Sequence, residues 1–474
     1  MKILFAASEA HPFFTCDGSG ALAGSLPAVL RRRRADVRAV LPLYGDLSEA
    51  WRGRLKHVAS FVVPVGWRNQ YCGLFELVWQ DVTWYFLDNE YYFKRQGLYG
   101  FYDDGERFAF FSRAVLETIS NIDFDPDVLH CNDWQTALVP VYLNLYFRHL
   151  EKFARLKTVF TVLDIKRQCI YDSEILEGTL GIERENAHVL EYGGVVNFTK
   201  GAIESADIVS TVSPSYAREL LEPDSPHGLE DFLRKKRHKI CGILNGIDIG
   251  LYNPLADPHI AANYGPDDFK EGKRICKEAL CGALGLANDP ESPLLGVFAA
   301  TEDGLRMLRA LAEPLLGAGL RIVAAIGAAD GEPADFLRAL AAREPGKPAL
   351  CAAPSEAEEH AIYAGCDMLL LPDCADPCAF GQMAALRYGT LPIVRNTGGF
   401  RDTVREAAGG FGNGFTFDAC EPSAISDACL RAKSAYRDEA AWSDLVRNAM
   451  LCDNSWATAA SRYMGMYRQA MTLW

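Results

Sequence analysis

Lys2 to Ala7 is a short apolar run, and it is followed by a glycine-containing loop, Thr15-Cys-Asp-Gly-Ser-Gly20. A helical stretch from Ala21 to Arg34 and a second apolar strand, Val37–Leu41, come next. This strand–loop–helix–strand order is a βαβ opening, which places the first loop at the carboxyl end of the first strand. The same alternation continues. Phe61–Val65, Leu74–Val78, Thr83–Leu87, Val128–Leu129, Thr158–Val162, Val209–Val212 and Ile240–Leu244 read as strands, with helices over Gly105–Ile119 and Thr136–Arg148. A second series begins near Pro293, with strands Leu294–Phe298, Arg321–Ile326, Met368–Leu371 and Leu391–Val394. Helices Gly304–Leu316, Pro333–Arg343, Ser355–Ala364 and Gly381–Tyr388 lie between them. Two α/β halves joined near residues 245–255 account for this pattern better than one continuous sheet.

At 474 residues the chain has room for two or three domains, and with 49% hydrophobic residues it can bury large cores. Its net charge of -14 excludes broad affinity for nucleic acid or anionic membrane, though not a local basic pocket. No secretory signal and no apolar stretch of transmembrane length is present. The Arg31–Arg34 run reads as a solvated helix end at the negative pole of the helix dipole. The 14 cysteines are scattered, with Cys276/Cys281 and Cys374/Cys378 the only close pairs and no CxxC. They predict free thiols without disulfides, no metal site and a cytoplasmic location.

Ten stretches, in order, carry a resemblance. They are Lys2-ILFAASEAHPF, Ala23-GSLP, Val37-RAVLPLY, His130-CNDWQT, Val209-STVSPSYAREL, Ile243-LNGID, Tyr252-NP, Ala361-IYAGCDMLLLPD, Asp376-PC and Arg387-YGTLPIVRNTGGFRDTV. Together they resemble the bacterial glycogen synthase and starch synthase family over nearly the whole chain. The resemblance implies a GT-B fold, two Rossmann-like domains facing across a cleft. Residues 1–245 would form the acceptor-side domain, 246–455 the nucleotide-sugar-side domain, and 456–474 a helix returning to the first. It implies glucosyl transfer from ADP-glucose to an α-1,4-glucan with retention, needing neither metal nor cofactor. It carries catalytic roles to Asp133 and Asp376, and substrate contacts to Gly18, Asn245, Gln382, Thr397, Gly398 and Gly399.

Several positions depart from the family's pattern. As glucose leaves a diphosphate, charge grows on the phosphate oxygens and fixed cations must face them. One cation about 4 Å away contributes roughly 4 kcal/mol at an effective dielectric near 20. The family's Lys-Thr-Gly-Gly-Leu loop is Thr15-Cys16-Asp17-Gly18-Ser19, without the lysine and with an added aspartate. Its Thr-Ile-His-Asn is Thr161-Val162-Leu163-Asp164, so the histidine that projects toward the sugar is a leucine. The strand–loop that holds an arginine and a lysine against the pyrophosphate has Ala300 and Asp303 near those positions, and no Arg or Lys occurs from Pro293 to Gly304. In Asp376-Pro-Cys-Ala-Phe-Gly-Gln382 the carboxylate is one methylene shorter than the family's glutamate and Ala379 replaces a glycine.

Each retained residue has a structural alternative. Asp376 can cap a helix, Asn245 with Gly246 can form the interdomain turn, and Thr397-Gly-Gly399 can be a strand-to-helix loop. His11, His130 and His227 read as structural, while Tyr91-Tyr-Phe93 and Tyr99-Gly-Phe-Tyr102 suit core packing or sugar stacking equally. Two functions follow: a glucosyltransferase whose activity is impaired, or a catalytically inactive relative that binds glucan or partners a working glycogen synthase. A transferase with a less anionic donor is a third, lacking visible replacement groups.

Overall fold

The computed structural model describes residues 1–15, 18–223, 227–327, 329–373 and 380–473, with the backbone alone at 18 and 19. The chain divides into two compact units, Met1–Asn245 with Trp456–Trp474, and Gly246–Ser455.

In the first unit the strands are β1 (Lys2–Ala6), β2 (Asp36–Pro42), β3 (Lys56–Val65), β4 (Arg68–Trp79), β5 (Val82–Asp88), β6 (Val128–Asn132), β7 (Lys157–Val162), β8 (Ile170–Tyr171), β9 (Glu191–Tyr192), β10 (Val195–Asn197), β11 (Ile208–Thr211) and β12 (Ile240–Gly242). Nine form one sheet ordered β12-β11-β7-β6-β1-β2-β5-β4-β3. It is parallel from β12 through β5, and the β3–β4 hairpin adds antiparallel. Strands β8–β10 make a separate small sheet. Unbroken apolar runs such as Ile3–Ala6 are buried because helices cover both faces of a parallel sheet. The helix Trp456–Thr472 packs on this unit, and its buried Tyr467 hydroxyl meets His130 Nδ1 at 2.8 Å.

The second unit has β13 (Leu294–Ala299), β14 (Arg321–Ile326), β15 (Pro348–Ala352), β16 (Met368–Leu370), β17 (Leu391–Arg395) and β18 (Phe415–Phe417). They form an all-parallel sheet ordered β15-β14-β13-β16-β17-β18. Strand order reverses at β1/β6 in the first unit and at β13/β16 in the second. Crevices for ligands open outside the carboxyl ends of strands at such points.

Three expectations need correcting. The stretch Thr136–Arg148 is not one helix but a 3-10 turn Trp134–Thr136, a short α-helix Leu138–Tyr142 and a π turn Leu143–Phe147. Pro140 supplies no N–H to the ladder there. Strands β15 and β18 were not foreseen; β15 opens on Pro348, which a sheet tolerates at an edge. Ten described cysteines are free, but Cys420 is disulfide-bonded, against the expectation of none. Bridging follows proximity in space, which sequence spacing does not reveal. Among the described residues, no helix is long and apolar enough to cross a membrane.

Candidate functional site

At the β1/β6 reversal, the chain leaves β6 through Asp133 with φ 62° and ψ 179°. That region of backbone space is essentially reserved for glycine, so an aspartate held there stores strain of order 1–3 kcal/mol. Its N–H bonds to Thr161 O across β7 at 2.9 Å, and its carbonyl accepts from Thr136 N at 3.0 Å. Asn132 Nδ2 donates to Ala6 O on β1 at 3.0 Å, stitching the two strand ends together. Around Asp133, three buried side-chain atoms have no hydrogen-bond partner among the described residues: Asn132 Oδ1, Trp134 Nε1 and Gln135 Oε1. Unspent polar groups in succession beside a strained carboxylate are unusual in a packed interior. Tyr99 lies beside them, its ring 5.9 Å from Trp134 and its hydroxyl 2.8 Å from Ser8 Oγ.

His130, three residues before Asp133, is fully buried, and its Nε2 meets Thr161 Oγ1 at 2.6 Å. Burial pushes its pKa down to about 3, so it is a neutral structural group and not a base. His227 is likewise held by local backbone bonds, with its pKa lowered by burial. Leu163 is packed at 3% exposure, as an apolar residue at a strand end should be.

At the β13/β16 reversal, the loop after β13 leads into the helix Glu302–Gly317, and Thr301 caps it by accepting from Gly304 N at 3.1 Å. Free N–H groups at such a position are the ordinary means of holding an anion. Here the chain fills that role itself. Asp373, just past β16, accepts from Ala300 N and Thr301 N, both at 3.1 Å, and from Thr301 Oγ1. A Cβ at Gly304 would overlap the same carboxylate, so glycine is what lets it lie so close. Asp303 faces solvent and pairs with Arg306 at 2.7 Å. The surrounding charge has the same sign: residues 246–455 hold 18 lysines and arginines against 30 aspartates and glutamates. That is a net of −12, while the remaining residues are close to neutral at −2.

The other sequence candidates fall in three places. Gln382 is fully buried in the helix Gly381–Arg387, where its Nε2 donates to Thr403 Oγ1 at 3.0 Å. Thr403 in turn donates to Gly399 O at 2.7 Å, so Gln382 braces the Thr397-Gly398-Gly399 turn from behind. Asn245 is buried, and Tyr463 OH of the C-terminal helix donates to its Oδ1 at 3.4 Å. Gly18 is the first residue of the helix Gly18–Arg32. Asp376 lies outside the described residues. Sequence reasoning missed Asp373; the available signal was an acid directly after a buried strand, at a sheet position the sequence alone did not reveal.

The fold of both units is that of GT-B glycosyltransferases. The catalytic domain of starch synthase IV from Arabidopsis thaliana, solved bound to ADP and acarbose, matches with a TM-score of 0.88 at 29% identity over 99% of each chain. Sucrose-phosphate synthase from Thermosynechococcus elongatus shares the fold, at a TM-score of 0.62 and 14% identity over 99% of this chain and 98% of that one. A family model described as the starch synthase catalytic domain matches residues 2–235. Glycogen synthase of Desulforamulus reducens is 40% identical over 99% of both chains, and that of Geobacillus thermodenitrificans 41% identical over 99% of this chain and 98% of its own. The chain belongs to the glycogen and starch synthase family.

Proposed function

We propose that this chain binds an α-glucan with its first unit, and that its transfer of glucose from ADP-glucose is impaired because its second unit receives the anionic donor poorly. The observation that carries this reading is Asp373, whose carboxylate occupies the Ala300 and Thr301 amides at the β13/β16 reversal. A nucleotide diphosphate arriving there meets a fixed negative charge where family members present cations, in a unit of net charge −12. The first unit offers the contrary picture: Asp133 keeps its strained conformation beside unspent polar groups, the equipment for hydrogen-bonding a neutral sugar. We assign the acceptor side to residues 1–245, the donor side to 246–455, and direct sugar contacts to Asp133, with Gln382 and Asn245 as supports. Ten of the described cysteines are free, which supports a reducing, cytoplasmic setting, while the bonded Cys420 counts against it.

The competing reading is a fully working synthase, favoured by 40% identity over the whole length to proteins of that name. Calorimetric titration with ADP and ADP-glucose, paired with transfer of labelled glucose to glycogen, separates the two. Weak or absent nucleotide binding with retained glycogen binding is expected. Tight ADP-glucose binding with rapid transfer would overturn the proposal.

A further inference from the structure

Phe411 is 79% exposed, the one large hydrophobic ring of the second unit that stands in solvent among the described residues. A single exposed apolar residue is ordinary on a protein surface. Phe411 differs in how it is held out. It follows a two-residue turn in which Gly409 and Gly410 have φ 56° and 84°, and two backbone bonds of 2.9 and 3.0 Å between Ala408 and Phe411 close that turn. Asn448, on the helix Glu439–Met450, donates through Nδ2 to Gly410 O and Gly412 O, both at 3.1 Å. It therefore grips the hairpin on either side of Phe411. A Cβ at Gly412 would meet Glu406 O at 2.4 Å, so the backbone here is packed as closely as glycine allows. Leu451, one turn beyond Asn448 at the end of that helix, is also exposed, at 65%.

The same unit has a hole of matching size. Between the first turns of the helices Glu302–Gly317 and Glu332–Arg343 lies a groove of about 240 Å³, walled by Leu305, Leu308, Pro333, Phe336 and Leu337. Leu305, Pro333 and Phe336 are only half-buried, so the groove is open on its outer side. An apolar cavity of about 150 Å³ is enough to take up benzene, so a phenylalanine ring fits here with room for its Cβ. At the rim, Arg309 pairs with Glu332 and lies 5.4 Å over the Phe336 ring, and Arg306 pairs with Asp303 at 2.7 Å. Beside the hairpin, Asp444 approaches Gly410 and pairs with Arg447 at 3.6 Å. In a unit of net charge −12, the knob and the groove are thus places where a like chain meets no local repulsion.

The two cannot meet within one chain. The groove follows β13 and β14, at the carboxyl ends of those strands, whereas the hairpin precedes β18, at the amino end of the outermost strand. In the parallel sheet β18 lies four places from β14, which is about 19 Å at roughly 4.8 Å per strand. We infer that Phe411 of one copy docks into the Leu305 and Phe336 groove of a second copy, so that the chain associates with itself head to tail. Knob and groove are different surfaces, so the contact is heterologous, and every added copy still offers one free knob and one free groove. Association then runs on into a file or a ring instead of stopping at a dimer. The contact is smaller than a stable dimer needs, which makes it weak and dependent on concentration.

The test is the weight-average mass of the full chain, measured by light scattering over a dilution series. The parent's mass should climb with concentration past that of two copies. It should climb more steeply at physiological salt than at low salt, where the net charge of −14 holds copies apart. Phe411→Ser should raise the apparent dissociation constant at least about tenfold with the melting temperature unchanged. Leu305→Trp, which fills the groove, should do the same; if it melts below the parent, Arg309→Trp at the exposed rim takes its place. Mixed together, the knob variant and the groove variant should form a complex of two copies and nothing larger, because one keeps its groove and the other its Phe411. A parent that stays monomeric at every concentration, or that associates less as salt is raised, would overturn the inference. So would either variant associating like the parent, or a mixture of the two that stays monomeric.

Discussion

Replacing Asp373 by serine tests the donor-side argument most directly. The carboxylate accepts from two backbone N–H groups and one hydroxyl, bonds that individually contribute about 1.5–3 kcal/mol when the acceptor is charged. The site is open to water, so their loss should cost about 1–2 kcal/mol, as for a lost helix cap, and lower the melting temperature by a few degrees. Nucleotide affinity should move the other way. A unit charge about 4 Å from a phosphate oxygen repels it by roughly 4 kcal/mol at an effective dielectric near 20, before salt screening. Serine removes that repulsion and returns the Ala300 and Thr301 amides to an incoming phosphate. After screening and ordering, a gain of at least about tenfold in ADP affinity, near 1.4 kcal/mol, is expected. Asp373→Asn keeps an oxygen on the amides but not the charge, so its gain should be smaller, and the difference reads out the value of the freed amides. The assay is calorimetry with ADP at low and at physiological ionic strength, with circular dichroism to verify the fold. If Asp373→Ser melts cooperatively and ADP affinity shifts by less than twofold, the carboxylate is not what limits binding.

Restoring the family residues, by Thr15→Lys, Asp17→Gly, Leu163→His, Ala300→Arg and Asp303→Lys, should raise ADP affinity at least about tenfold, and adding Asp373→Ser should raise it further in the same titration. Tyr467→Phe strips the buried His130 Nδ1 of its partner and should cost about 1–3 kcal/mol in urea denaturation. Because burial holds the His130 pKa near 3 against an ordinary 6.5, the unfolded chain binds the extra proton between those values. Stability should therefore fall as pH drops through that window, by about 1.4 kcal/mol per pH unit from this group, and His130→Gln should flatten the slope. Asp133→Gly relieves the backbone at φ 62° and should raise stability by about 1 kcal/mol; retardation by glycogen in native gels should weaken at the same time, and a stabilised variant that binds glycogen as before would deny Asp133 its role.

Much of the fold was legible because it is written in apolar runs. Leu294–Ala299 is buried apart from half-buried Phe298, Arg321–Ile326 is buried from end to end, and a near-continuous buried run of that length has few other uses. What escaped was short or polar-bounded. Phe415–Phe417 is a three-residue strand at the sheet edge, too brief to show a period. The helix Phe269–Leu284 carries lysines and glutamates along most of its length, and its buried side, Phe269, Gly272, Cys276, Lys277, Leu280 and Cys281, includes one of those lysines. The site was legible as a set of losses, since a missing lysine or histidine is visible residue by residue. Its one gain was not, because Asp373 acquires meaning only when β16 is laid beside β13, and that adjacency spans 73 positions to Ala300.

The residues that stand at and beside the departed positions share a physical character. Leu163 is buried at 3% exposure, and a fully buried leucine contributes about 1.5–3 kcal/mol of hydrophobic stabilisation that a sugar-facing histidine would not. Thr301 caps the helix Glu302–Gly317, and Glu302 and Asp303 in its first turn complement the positive end of the helix dipole. Asp373 satisfies amides that would otherwise wait for a ligand. Each is the choice that stabilises an unliganded strand end, at a place where catalysis would demand a cation or a donor left unpaired. Active sites commonly sacrifice stability for function, and the donor side of this chain has the opposite balance. The strained Asp133 and its unspent neighbours still carry the functional sign. That contrast within one chain is why the donor step, and not the fold or the glucan contact, is where activity should be limited.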